Sequence, residues 1–316
     1  MKRIILVSFA AVVFSVFVSG CDKSASPGES DTPPKGPITV GSKIDTEGAL
    51  LATMIMQVLR DAGYEIEDRS HFGPTQMVRR ALLSGEIDIY PEYTGNGAFF
   101  FDQTGSRVWH DREAGYERVR KLDEEKNGVI WLKPASANNT WGIAIPKSLA
   151  QKDDLQSLED FARYVNSGGK VKLACSEEFV NSEMALPAME KTYGFDLKQD
   201  QLLTLMGGNT AQTEKAAARG TDGVNAAMAY GTDGAIGALD LVLLSDPKGS
   251  QPVYAPAPVV RAEVLNRHPE IRELLAPVFK SLDRETLQKL NGQIVLEGRN
   301  SAEVSRRYLQ NRGFLE

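Results

Sequence analysis

Cysteine and histidine are scarce in this 316-residue chain: Cys21 and Cys175 are its two cysteines, and His71, His110 and His268 its three histidines. There is no CxxC pair, and no histidine stands in a zinc-ligand spacing, so no metal site and no cofactor are expected. The sequence also lacks a GxSxG elbow, a lysine-bearing phosphate loop and a strand followed by GxGxxG. Gly207-Gly208-Asn209-Thr210 is glycine-rich but has no lysine, and reads as a strand-to-helix turn. Basic blocks are missing too. Lys and Arg number 36 against 42 Asp and Glu, a net charge of −6, which argues against nucleic acid or an anionic membrane surface as partner. No apolar run reaches the roughly 20 residues that cross a bilayer as a helix. These absences point to binding rather than catalysis, in a chain long enough for two domains with separate cores.

The longest apolar run, Ile4 to Val18, has 15 residues and follows Lys2 and Arg3. A charged start before an apolar stretch of about 7–15 residues marks an export signal, assigned here to residues 1–20. Val18-Ser19-Gly20-Cys21 resembles a bacterial lipobox, which implies that Cys21 is lipidated and heads the mature chain. Two or more acyl groups make such an anchor stable. Without residues 1–20 the chain has 34 basic and 42 acidic residues, a net charge of −8. Asp22 implies, by the same resemblance, a periplasmic protein retained at the inner membrane. With Cys21 acylated, Cys175 has no disulfide partner, and after the apolar Val171–Ala174 it reads as a buried small hydrophobe. Residues 21–37 carry Pro27, Pro33, Pro34, Pro37, Gly28, Gly36 and three serines, and read as a flexible tether.

From Ile38 onward, strand and helix periodicities alternate. Strands are expected at 38–41, 87–90, 129–132, 142–145, 171–174, 201–206, 225–229, 241–244 and 253–260. Helices are expected over 45–62, capped by Asp45 or Thr46 and stopped by Gly63, and over 75–83, 111–125, 158–165, 213–218, 270–282, 284–290 and 302–311. A further helix over 185–192 is expected to break near Pro187. The repeated strand–helix units give an α/β fold with mostly parallel sheets flanked by helices, and two sheets fit the length better than one.

Three aromatic residues stand where strands end or begin, the places at which open α/β sheets bind ligands. Tyr93 follows the strand ending at Tyr90, with Thr94 and Asn96 beside it; Trp141 follows Asn138-Asn139-Thr140; Tyr230 precedes Gly231-Thr232-Asp233-Gly234. Taken singly, each reads as readily as a packed core ring. Together they suggest a box of π-faces, which attract a quaternary ammonium. Gly41-Ser42-Lys43, before a helix N-terminus, offers a cation and free N–H groups to a carboxylate. Asp88, Glu92 and Asp233 are the acids available for a paired-carboxylate enzyme site, against which stand their ready roles in turns and caps.

These segments, with Thr46-Glu47, Gly85–Gly95 and Ala255–Arg261, resemble the glycine betaine/choline/carnitine-binding subunits of osmoprotectant ABC importers, over essentially all of Ile38 to about Leu315. The stress-linked periplasmic branch shares Ser42–Leu51. The resemblance implies a two-lobed type II periplasmic-binding fold, with lobe 1 at 38–142 plus 255–316, lobe 2 at 143–254, and crossings near Ile143–Pro146 and Val253–Pro256. Lobe closure would bury the ligand in the cleft between them. Tyr93, Trp141 and Tyr230 match cage positions, Asn139 a position near the ammonium, and Lys43 and Asn96 positions near the ligand's carboxylate end. A fourth aromatic expected between Met206 and Lys215 is missing, with Asn209, Thr210 or Thr213 in its place, and Thr213 is taken as the binding residue. An Arg expected after Glu178-Phe179 is also missing; Asn181 and Ser182 stand there. The implied protein is not an enzyme. It is a monomeric capture protein for a small osmolyte such as glycine betaine, bound with reduced affinity, with permease and ATPase subunits as partners. A binding protein of the same fold for another zwitterion, such as an amino acid, is the alternative; a sensory module that signals by lobe closure is a third reading.

Overall fold

A computed structural model describes residues 35–205 and 210–315; the export signal, Cys21, most of the tether and the glycine-rich turn with Asn209 lie outside the described residues. The strands are β1 Lys35–Lys43, β2 Tyr64–Gly73, β3 Ile89–Tyr93, β4 Val129–Trp131, β5 Trp141–Pro146, β6 Leu173–Ser176, β7 Leu202–Leu205, β8 Ala226–Tyr230, β9 Leu241–Leu243 and β10 Pro256–Arg261. They form two five-stranded sheets, ordered β2-β1-β3-β10-β4 and β7-β6-β8-β5-β9. The longer helices are α1 Thr46–Asp61, α2 Thr75–Ser84, α3 Arg112–Asn127, α4 Leu158–Asn166, α5 Leu186–Tyr193, α6 Thr210–Arg219, α7 Ile271–Lys280, α8 Arg284–Val295 and α9 Ser301–Asn311.

The sheets are mixed rather than simply parallel. In the first, β10 runs antiparallel to both β3 and β4, while β1 pairs parallel with β2 and β3. In the second, β5 is the reversed strand between β8 and β9. Each reversed strand is the one on which the chain arrives from the other sheet. β10 comes last in the chain and lies between the earlier β3 and β4, whereas β5 comes first in its sheet and the later β8 and β9 pair on either side of it.

α1 shows how the first core is set. Asp45 caps it by accepting from Gly48 N, and Gly63, at φ 85°, turns the chain after it. Leu50, Leu51, Met54, Ile55 and Leu59 are buried with Val260, Phe279 and Leu309, so the C-terminal helices pack on the first sheet. The second core gathers Ile143, Phe161, Leu173, Cys175, Phe179 and Met189. Cys175 is fully buried, and burial pushes its thiol up to about 11, as befits an inert packing residue.

Several expectations need correcting. β2 was not legible: it is an edge strand, paired to β1 alone, and its Glu-Ile-Glu-Asp-Arg-Ser run is largely exposed. α5 is unbroken, because Pro187 lies in its first turn, where a missing N–H has no helical partner to lose. β1 begins at Lys35, inside the supposed tether; Lys35 pairs with Tyr64 in the sheet, and its Nζ lies 3.0 Å from Glu270 Oε1. Ile143–Pro146 lies within β5, so the first crossing between sheets precedes Trp141.

Candidate functional site

A cavity of about 800 Å³ is lined from both sheets, by Lys43 of β1, Tyr93 of β3, Trp141 of β5 and Tyr230 of β8 among others. That volume suits a small molecule with room to spare. The two crossing segments run side by side at its floor. Asn139 N donates to Tyr254 O at 2.9 Å, Tyr254 N donates to Asn138 Oδ1 at 2.8 Å, and the Thr140 hydroxyl donates to Pro252 O at 2.8 Å. These bonds fix Asn139 and lead the chain into β5 at Trp141.

Trp141 and Tyr230 stand directly opposite each other on antiparallel β5 and β8. Their rings are stacked, with centroids 6.0 Å apart and 18° between planes, and Phe179 backs the indole edge-on at 5.8 Å. Two rings this close make a single wall. An ammonium sandwiched between two faces needs several ångströms to each centroid, and 6.0 Å between centroids leaves no room for one between these rings.

Beside this wall is a buried carboxylate. Glu47, in the first turn of α1, is 5% exposed and lines the cavity. The Tyr93 hydroxyl donates to its Oε1 at 2.8 Å, Asn139 Nδ2 to the same oxygen at 3.1 Å, and Asn291 Nδ2 to Oε2 at 2.7 Å. Burial pushes its pKa up to about 7, against the opposing pull of hydrogen bonds from Thr232, Tyr93 and Asn291. Its signal in the sequence is slight: an acid in the first turn of a helix, where acids are common because they suit the helix N-terminus. Asn291 and Tyr254, also on the cavity wall, had no such signal.

Lys43 and Asn96 line the cavity, yet their polar ends address the protein itself. Lys43 Nζ lies 2.5 Å from Glu92 Oε1 and 4.7 Å from the Tyr93 ring centroid, and Asn96 Nδ2 donates to Glu92 Oε1 at 2.7 Å. Glu92 also accepts from the Tyr90 hydroxyl at 3.0 Å and is fully buried. The expected carboxylate-binding cation is therefore already paired. The three acids considered for a catalytic pair are apart: Asp88 meets Arg261, Glu92 meets Lys43, and Asp233 meets Glu214.

Thr213 does not stand on the cavity wall. It is 1% exposed, with its hydroxyl 2.6 Å from Met228 O and 2.8 Å from Thr210 O. Thr213→Val is expected to leave ligand affinity unchanged while lowering stability by about 1 kcal/mol through the lost buried hydrogen bond. Calorimetric titration beside a denaturation curve separates the two effects.

Residues 36–311 match the profile of the substrate-binding domain of ABC-type glycine betaine transport systems. The chain is 56% identical over 278 residues to the glycine betaine-binding protein YehZ of Escherichia coli K12, covering 88% of this chain and 91% of that one. It is 31% identical over 285 residues to a glycine-betaine-binding protein of Pseudomonas aeruginosa, covering 88% and 89%. The solved structure of apo YehZ from E. coli superimposes with a TM-score of 0.81, covering 88% of this chain and 99% of that one.

Proposed function

The chain belongs to the family of substrate-binding domains of ABC-type glycine betaine transport systems, and from that premise we propose that it captures a small quaternary-ammonium osmolyte, glycine betaine or a close relative, for an importer's permease and ATPase subunits. The observation that carries this reading is the stacked Trp141–Tyr230 wall beside the buried Glu47 carboxylate, all facing one cavity. A methylated ammonium sheds water easily, so it gains from a π-face and from a nearby anion without demanding hydrogen bonds of its own. Capture requires no chemistry. Tyr93 and Asn139 serve by holding Glu47, and Lys43 and Asn96 by holding Glu92.

The lobes in this reading are 38–142 with 255–316, and 143–254, with the first boundary drawn back to about residue 140 by the start of β5. Closure over the cavity would enclose the ligand. Residues 1–20 serve as the export signal, and lipidated Cys21 tethers a monomeric protein in the periplasm, at the inner membrane by virtue of Asp22. Among the described residues no helix is long and apolar enough to cross a membrane. Binding of an amino acid instead is not favoured. The relatives named above are glycine betaine-binding proteins, and Lys43, the one lysine or arginine on the wall among the described residues, is held by Glu92.

The test follows from Glu47. Its folded pKa, raised from 4.5 to about 7, means that the carboxyl is largely neutral at about pH 5.5 and ionised at about pH 8. Affinity for glycine betaine or choline is expected to rise about tenfold across that interval, and the rise is expected to vanish in Glu47→Gln. Stability of the unliganded protein should move the other way. A raised pKa gives a contribution that is full below pH 4.5 and lost as pH climbs through 7, so the thermal transition falls on going to about pH 8. Affinity that does not change with pH would remove Glu47 from the site.

A further inference from the structure

Glycine betaine has two ends, and the aromatic wall with Glu47 serves only the ammonium. The carboxylate also leaves water on binding, and it needs hydrogen bonds in return. The one lysine or arginine on the cavity wall among the described residues, Lys43, is held by Glu92, and Asn181 and Ser182 stand where an Arg is expected. Acids are the commoner charge on the wall: Asp45, Glu47, Glu178, Glu214 and Asp233. With no free cation there, a ligand carboxylate depends on neutral donors.

Two aromatic side chains of the wall offer them. Tyr254 is half-buried, and among the described residues its hydroxyl has no hydrogen-bond partner. Burial, with Tyr230 and Glu92 nearby, pushes its pKa up, so the hydroxyl keeps its proton at physiological pH. Trp141 Nε1 is a buried donor that interacts with the Tyr230 hydroxyl but makes no well-aligned hydrogen bond. A donor left so is unfavourable until something accepts from it. Both side chains spring from the paired crossing segments at the cavity floor: Tyr254 N donates to Asn138 Oδ1, and Tyr254 O accepts from Asn139 N, just before Trp141. The Tyr254 ring rests on Gly95, where a Cβ would come within 2.8 Å of it, so any other residue at that place would displace the ring. A hydroxyl on a ring held this way has little freedom left to lose on meeting a ligand.

We propose that the Tyr254 hydroxyl donates to the carboxylate end of the ligand, with the Trp141 indole N–H as the second donor, so that two neutral groups stand in for the cation that the wall does not have free. Tyr254 is then a ligand-binding residue that selects a methylated ammonium carrying a carboxylate over one without it. This rests on the quaternary-ammonium reading above and adds the recognition of the ligand's other end.

The experiment is calorimetric titration of the mature protein with glycine betaine and with tetramethylammonium, which has a similar head and no carboxylate. Glycine betaine is expected to bind about 30-fold more tightly, the effect of hydrogen bonds to an ionised acceptor. Tyr254→Phe keeps the ring and removes only the hydroxyl. It is expected to weaken glycine betaine about tenfold and to leave tetramethylammonium unchanged. Benzothienylalanine in place of Trp141 keeps the aromatic face without the N–H, and is expected to weaken glycine betaine alone in the same way. Unchanged affinity for glycine betaine in Tyr254→Phe overturns the proposal. An equal loss for both compounds overturns it as well, since it marks a ring that packs rather than a hydroxyl that donates. Tetramethylammonium binding as tightly as glycine betaine to the unaltered protein overturns it even where the variants fail to fold. If neither compound binds, the quaternary-ammonium reading falls and takes this proposal with it.

Discussion

Lys43→Met is expected to destabilise the protein by about 3–5 kcal/mol, because it strips the counter-charge from a fully buried carboxylate. Glu92 would retain the Asn96 amide, the Tyr90 hydroxyl and the Tyr93 N–H as donors. Those neutral donors do not replace an ammonium at 2.5 Å. Lys43→Met with Glu92→Gln is expected to recover most of the loss, since the double variant removes both charges and leaves an amide able to share the remaining network. Denaturant titration of the two variants checks this. A single variant of normal stability that no longer bound glycine betaine would return Lys43 to the role of ligand cation.

Trp141→Ala is expected to weaken binding of any trimethylammonium compound about 30-fold, corresponding to about 2 kcal/mol for a desolvated indole face. Trp141→Phe keeps a smaller face and should fall between. The fold should survive, since Trp141 is only half-buried and the second core rests on Ile143, Phe161 and Leu173. Titration calorimetry with a parallel thermal melt reads both. A melt that collapses together with binding would make Trp141 a packing residue instead.

Much of the fold was legible because its signals are local. The Asp45 cap, the apolar stripe of α1 and the stop at Gly63 lie within one stretch of sequence. β2 was not, because an edge strand with one partner has no need of an apolar alternation. The direction of β10 and β5 was not either; it follows from where the chain crosses between sheets, which no local pattern records. At the site, Trp141 and Tyr230 could be placed by their position at strand ends. That they stack on each other depends on cross-strand register. Lys43 and Glu92 are 49 residues apart, and nothing in either neighbourhood announces the buried pair they form. Thr213 lies in the stretch where relatives' fourth aromatic is expected, but its side chain turns to the carbonyl of Met228.

The most direct measurement is a crystal structure of the protein with choline bound. The trimethylammonium group is expected within about 6 Å of the Trp141 or Tyr230 ring centroid, on an outer face of the stacked pair and on the side of Glu47. An ammonium seated elsewhere in the cavity, with both ring faces uncovered and Glu47 out of reach, would contradict the aromatic wall as the recognition element.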